Sequence, residues 1–173
     1  MTAQPELFDP IKPKRKKPVS LTIRSRKYLE AHGYVVALVE RSIQRPKFPG
    51  STEKYHNKFD CFGFADLVAV HPDKPGSLYI QVTDHSHAME HRRKMLEAKA
   101  VPVILKALNR IQLHTWKASK KKGLKHWCLR LQSVRLGQLD GTTAERTGLR
   151  TVEFTEPIEH WFGDNGQEVD ADF

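Results

Sequence analysis

Apolar runs alternate with polar segments along the chain, and their spacing predicts its secondary structure. Residues 20–33 carry apolar residues at helical spacing between a serine suited to cap a helix and a glycine suited to end one. Residues 34–39 predict a buried strand ending at Glu40, and residues 42–58, with proline, glycine and charges, predict a loop. Two further strand-like runs, joined by a tight connection, lie within residues 59–83.

The second half of the chain continues with two helices and two strands. Residues 86–99 predict a helix with a basic side, and residues 101–108 predict a short helix after it. Residues 111–116 and 126–136 alternate apolar and polar positions, as half-buried strands do. Residues 151–173 have weak periodicity and are expected to lack regular structure. Because a helical crossover permits parallel strands, we expect an α/β protein with a central mixed sheet flanked by helices.

Three polar residues interrupt the two central apolar runs. Asp66 lies in the first run, and Gln81 and Thr83 lie two residues apart in the second, on one face of a strand. A carboxylate among apolar residues is costly without a partner, and carboxylate and amide oxygens suit divalent cations. The pattern favours a metal site; a structural acid beside the polar face of an edge strand is the alternative.

Charge is unevenly distributed along the chain of 173 residues, whose net charge is +9. Residues 151–173 hold seven acids and no lysine or arginine, so the remaining residues carry +16. A domain this basic is expected to bind a polyanion, most often nucleic acid; a lysine-rich solvated surface is the alternative. Nothing in the pattern separates DNA from RNA. The candidate nucleic-acid-binding residues are Lys14, Arg15, Lys16, Lys17, Arg92, Arg93, Lys94, Lys120, Lys121, Lys122 and Lys125.

The chain length fits one domain with its own core. We expect a flexible basic arm over residues 1–19, a folded domain over 20–150 and an acidic tail over 151–173. The tail is either a solubilising segment or a mimic that competes with nucleic acid. No apolar run approaches membrane-spanning length, no signal peptide is evident, and the two cysteines suit a reducing compartment. These features predict a soluble cytoplasmic protein without a membrane partner.

From about residue 20 to 117, the chain resembles the PD-(D/E)xK nuclease superfamily, which includes restriction enzymes and Holliday-junction resolvases. The sequence segment FGFADLVAV followed by IQVT is similar to the sequences of small phage and bacterial members. Asp66 falls on the family's aspartate position, and Gln81-Val82-Thr83 falls where the family has Glu-x-Lys. Glu40 falls where several members carry an additional acid. The resemblance implies a restriction-endonuclease-like αβββαβ core and a bacterial or phage-infected cell.

The resemblance also implies an endonuclease that uses Mg²⁺ or Mn²⁺ to hydrolyse DNA, with branched or phage-replication DNA as candidate substrates. Gln81 keeps an oxygen ligand without the charge of glutamate, whereas Thr83 lacks the ammonium that stabilises charge on the phosphate. Lys94, Arg93 and His85 are the candidates to replace that ammonium or to assist the attacking water. The implied metal ligands are Asp66, Gln81, the Val82 carbonyl and Glu40.

Other functions stay open at this point. The Gln81 and Thr83 replacements favour a catalytically inactive relative that binds nucleic acid through the same face, and a protein-interaction module is a third hypothesis. Gln4, Leu7 and Phe8 match the Gln-x-x-Leu-Phe pattern of peptides that dock on bacterial sliding clamps, although five residues also match by chance. A homodimer is open as well, because many nucleases of this fold cut two strands as dimers.

Overall fold

The computed structural model describes residues 19–121, 124–137, 152–163 and 167–169, and these contain three helices and ten strands. None of these helices is both long and apolar enough to cross a lipid bilayer. The elements in chain order are α1 (Leu21–Ala31), β1 (Val35–Leu38), β2 (Arg41–Pro46), β3 (Lys54–Phe59), β4 (Leu67–His71), β5 (Lys74–Asp84), α2 (Ala88–Glu97), α3 (Ala100–Lys106), β6 (Arg110–Lys121), β7 (Leu124–Leu136), β8 (Val152–Phe154), β9 (Ile158–Phe162) and β10 (Glu168–Val169).

The first helix begins and ends where the sequence predicts. The Ser20 side chain accepts a hydrogen bond of 3.2 Å from the Ile23 backbone N–H, which satisfies one of the donors at the start of α1. Gly33 has a φ of 80°, and its N–H donates to the Glu30 carbonyl while the Tyr34 N–H donates to that of Leu29. Glycine adopts this left-handed conformation at little cost, so the chain can turn from α1 into β1.

The main sheet has the strand order β1-β4-β5-β6-β7-β9-β10, and β8 also pairs with β7. Strands β5 and β6 are parallel, with Gln81 opposite Leu113 and Thr83 opposite Thr115, whereas the other pairs are antiparallel. Helices α2 and α3 form the crossover that the parallel pair requires. The predicted α/β class with a mixed sheet is therefore confirmed.

Alternate side chains of the sheet form two separate cores. Ile80 and Val82 of β5 pack in one cluster with Leu29 of α1. Leu113 of β6 packs in the other cluster with Met95 of α2 and with residues of α3. Each fully buried aliphatic side chain of this size contributes about 1.5–3 kcal/mol relative to its exposed form. The helices thus flank both faces of the sheet, and together they fix the position of β5.

Three expectations about secondary structure are wrong. Residues 42–58 are not a loop, because β2 and β3 pair as an antiparallel hairpin. Strand β1 is not buried: it lies at the edge of the sheet, and Val35 is 72% exposed. The described part of residues 151–173 does not lack regular structure, because β8 and β9 add to β7 and β10 adds to β9. Strand β2 is exposed at all six residues and so lacks the apolar pattern of a core strand, whereas β1 is apolar throughout but is largely exposed at the edge of the sheet.

Candidate active site

Asp66 joins three strands at the point where β4 begins. Its backbone N–H donates to the Ile80 carbonyl at 2.9 Å, and its carbonyl accepts from the backbone N–H groups of Val39 at 3.0 Å and Glu40 at 3.3 Å. Its Oδ2 atom accepts two bonds of 2.7 Å, from the Val82 backbone N–H and from Gln81 Nε2. Only 7% of Asp66 is exposed, so its carboxyl group is fixed against β5.

The Gln81 side chain amide lies between two oxygen atoms. Its Nε2 atom donates to Asp66 Oδ2 and, at 3.2 Å, to the Val82 carbonyl oxygen. Its Oε1 atom is buried and has no hydrogen-bond partner among the described residues. A buried amide oxygen without a partner costs about 1–3 kcal/mol. The N–H group therefore sits where the carboxylate and the carbonyl converge, while the oxygen that could bind a cation is left without a partner.

Two further acids and two lysines surround this carboxyl group. Glu40 forms a 2.5 Å ion pair with Lys58, and Asp60 forms an ion pair with Lys94. The hydrogen bond with Glu40 raises the pKa of Lys58 above its ordinary value, and the charges of Asp66 and Asp60 add to the effect. We call Glu40, Lys58, Asp60, Asp66, Gln81 and Lys94 the Asp66 cluster.

A tight bend between β3 and β4 brings Asp60 to the cluster. Phe62 and Gly63 have φ values of 55° and 78°, and Cys61 pairs with Ala65 across the bend. In a continuous strand, Asp60 and Asp66 would lie roughly 20 Å apart. The bend instead folds the chain back, and the charge of Asp60 acts on the Asp66 carboxyl group. The sequence indicated this bend only through the glycine, since a left-handed phenylalanine is uncommon.

Burial raises the pKa of Asp66 from 3.8 to about 7. This value includes smaller increases from the carboxylates of Asp60 and Glu40, and decreases from the hydrogen bond of the Val82 N–H and the charge of Lys94. Near neutral pH, the carboxyl group is therefore balanced between its protonated and ionised forms. A nearby cation would favour the ionised form, which is the form that binds a metal ion.

The structure brings Lys94 to the cluster but gives His85, Arg93 and Thr83 other surroundings. Lys94 contacts Asp60, and its charge acts on Asp66. Exposed His85 lines a cavity of about 400 Å³ that also involves Met89, Arg92, Thr115 and Arg130. Arg93 is exposed on α2 beside Glu97, and buried Thr83 lies next to Thr115. Lys94 is thus the described candidate whose charge reaches the carboxyl group.

The other basic candidates are spread over the protein. Arg92 lies over the Phe154 ring at 4.8 Å, which holds α2 against β8. Lys120, Lys121 and Lys125 belong to the paired ends of β6 and β7, where only their backbone is described. The remaining predictions lie outside the described residues: Lys14, Arg15, Lys16, Lys17 and Lys122, and the clamp-like residues Gln4, Leu7 and Phe8.

The oxygen donors of the cluster fit a weakly held magnesium or manganese ion. Within the described ranges, no group of three or more His, Cys, Asp or Glu side chains is placed to hold a metal. The converging donors are instead one carboxylate, one backbone carbonyl and, after rotation of the amide, the unpartnered Gln81 oxygen. Mg²⁺ commonly takes one or two carboxylates and keeps several waters, so this set suits it when a substrate phosphate completes the coordination.

Neither Lys58 nor Asp60 is among the site residues that the sequence predicts. Lys58 lies in the segment 42–58, whose hairpin was not recognised, and its partner Glu40 is 18 residues earlier in the chain. The turn-forming pair Pro49-Gly50 is the signal that could have indicated the hairpin. No protein-family model, no curated protein and no solved structure matches the chain.

Proposed function

We propose that this chain is an endonuclease of the PD-(D/E)xK type that uses Mg²⁺ or Mn²⁺ to hydrolyse phosphodiester bonds in DNA. The observation that carries the proposal is the buried Asp66 carboxyl group, which accepts a hydrogen bond from the same Gln81 amide that bonds to the Val82 carbonyl, and on which the charge of Lys94 acts. The order α1, β1, β4, β5, α2 and β6, with β2 and β3 inserted as a hairpin, supports a restriction-endonuclease-like core. Branched DNA and phage-replication intermediates are the substrates we infer.

Asp66, the Val82 carbonyl and the Gln81 side-chain oxygen would hold the cation, and Glu40 adds negative charge nearby. When bound, a divalent cation polarises a phosphoryl oxygen and lowers the pKa of a water molecule. Asp66 must lose its proton to serve as a ligand, and its pKa of about 7 places that loss near neutral pH. Gln81 must turn its amide so that the oxygen replaces the N–H group that faces Asp66.

Lys94 supplies the positive charge that the Thr83 replacement removes from the strand. Its ammonium group pairs with Asp60, so it is held beside the carboxyl groups and does not extend freely into solvent. A cation in this place stabilises the negative charge that develops on a phosphate in the transition state. Lys58 is held by Glu40 on the β3 side of the cluster and adds a second positive charge.

Cleavage assays on several DNA structures test the proposal. Linear, supercoiled, single-stranded and branched DNA are incubated with Mg²⁺ or Mn²⁺, with an EDTA control. We expect wild type to cut with metal and Asp66→Ala to lose all cutting while it still binds DNA. Asp73→Ala, which removes an acid whose side chain is 86% exposed in the β4–β5 turn, is the matched control and should cut like wild type. If Asp66→Ala still cuts DNA, the Asp66 cluster does not catalyse the cleavage.

A catalytically inactive nucleic-acid-binding protein is the second candidate. It is favoured by the ion pairs that Glu40 and Asp60 form with lysines, since these neutralise two of the three acids in the cluster. In that case no DNA structure is cut with either metal, while binding stays strong at low salt and weakens as salt rises. The same assays therefore separate the two functions.

A further inference from the structure

The β2–β3 hairpin extends from the protein as a two-stranded ribbon. It forms a sheet of its own, with Arg41 opposite Phe59 at its base and Pro46 opposite Lys54 near its tip. All six residues of β2 are exposed, so neither face of this strand is covered by the described part of the chain. An isolated hairpin is marginally stable in water, and a ribbon exposed on both faces gains most from a partner.

The charge of the ribbon indicates what that partner is. Residues 41–59 contain five lysines or arginines and one acid, for a net charge of +4. Arg41, Arg45 and Lys54 form no ion pair with another described residue. Arg41 and Arg45 share one face, whereas Lys54 lies on the other. Phosphates on both sides of the ribbon would complement cations arranged in this way.

The base of the ribbon coincides with the Asp66 cluster. Glu40 precedes β2 directly, Asp60 follows β3 directly, and Lys58 of β3 pairs with Glu40. A six-residue strand spans about 20 Å, so the ribbon can follow a bound polymer away from the cluster for roughly that distance. A polyanion bound along the ribbon would therefore lie close to the buried Asp66 carboxyl group at its base.

We propose that the β2–β3 ribbon enters the major groove of duplex DNA and holds the sugar-phosphate backbone against the Asp66 cluster. This inference rests on the proposed nuclease function and makes duplex DNA its substrate class. A two-stranded ribbon fits the major groove of B-form DNA, which is about 12 Å wide. The major groove of A-form RNA is too deep and narrow for side chains to read, so the geometry favours duplex DNA over duplex RNA.

The double variant Arg45→Gln/Lys54→Gln tests the ribbon, with Lys99→Gln/Lys106→Gln as a control that removes two exposed lysines next to and at the end of α3. Affinity for a 20-base-pair DNA duplex is measured over a range of salt concentrations, beside an RNA duplex of equal length. Two lost phosphate contacts lower the slope of log affinity against log salt by about 1.8. We expect that loss in the ribbon variant alone, and weaker binding of the RNA duplex by wild type.

The variant Arg45→Lys/Lys54→Arg keeps both charges and should bind like wild type, which separates lost charge from a damaged hairpin. If the ribbon variant keeps the wild-type slope, or if wild type binds both duplexes equally, the ribbon does not hold DNA in its groove. The nuclease proposal fails separately, when wild type cuts no DNA although the ribbon variant weakens binding. Absence of any wild-type DNA binding would overturn both proposals.

Discussion

Replacing Asp66 with asparagine should stabilise the protein above neutral pH. Asparagine is neutral and keeps an oxygen that can accept the bonds from the Val82 N–H and Gln81 Nε2, so it imitates the protonated aspartic acid. The unfolded chain ionises Asp66 above its ordinary pKa of 3.8, whereas the folded protein retains the proton up to about pH 7. Stability conferred by that proton is complete below pH 3.8 and is lost as the pH rises through 7.

The size of the effect follows from the two pKa values. Each tenfold change in proton affinity is worth about 1.4 kcal/mol. The difference between 3.8 and about 7 then corresponds to about 4 kcal/mol, with no large reduction by solvent because Asp66 is only 7% exposed. Asp66→Asn should therefore exceed wild type in free energy of unfolding by about 4 kcal/mol more at pH 8 than at pH 4.

Urea denaturation of both proteins with EDTA, at several pH values from 4 to 8, measures this difference. Other groups titrate in both proteins, so their contributions cancel when one curve is subtracted from the other. Adding Mg²⁺ at pH 8 should stabilise wild type and leave Asp66→Asn unchanged, because the cation needs the ionised carboxylate. A difference that stays below about 1 kcal/mol at every pH would show that the pKa of Asp66 is not raised.

Three further predictions concern residues near the site and in the core. Lys94→Gln removes a charge that lowers the pKa of Asp66, so the pH profile of cleavage should move to higher pH. The cleavage rate at pH 7 should fall about 100-fold. An unchanged profile would contradict the role of Lys94. Burial lowers the pKa of His114 from 6.5 to about 3, so wild type loses stability as the pH falls below 6.5. In urea denaturation, the free energy of unfolding of His114→Phe should therefore fall less from pH 7 to pH 4 than that of wild type. Tyr28→Phe removes a 3.2 Å hydrogen bond to His160 and should lower the free energy of unfolding by about 1 kcal/mol. It should also speed hydrogen exchange in β9. Unchanged exchange there would show that the bond does not hold the strand.

Local signals were sufficient for the elements that carry the candidate carboxyl group. Helix α1 was predictable because Ser20 and Gly33 act within one turn of the ends of the helix. Strands β4 and β5 were predictable from continuous apolar runs, and the Gln81 and Thr83 positions follow from the two-residue period of a strand. The parallel pairing of β5 with β6 follows from the helical crossover between them.

Features that depend on distant contacts were not predictable from local patterns. Strand β2 is exposed on both sides, so residues 41–46 lack the alternation that marks a half-buried strand. Strand β9 owes its place to pairing with β7, where Glu159 lies opposite Arg130 and forms a 2.9 Å ion pair with it. The cluster itself depends on the bend at Phe62 and Gly63, because without it Asp60 would lie far from Asp66.

Anomalous X-ray scattering from Mn²⁺ locates the ion directly, which a cleavage assay does not do. Crystals of wild type and of Asp66→Asn are soaked in the Mn²⁺ concentration that supports cleavage. We expect a manganese peak in wild type beside the Asp66 carboxylate and the Val82 carbonyl, with the Gln81 amide turned so that its oxygen faces the ion. We expect no peak in Asp66→Asn. A wild-type crystal without manganese at Asp66, or with manganese bound only at another site, would contradict the proposed metal site.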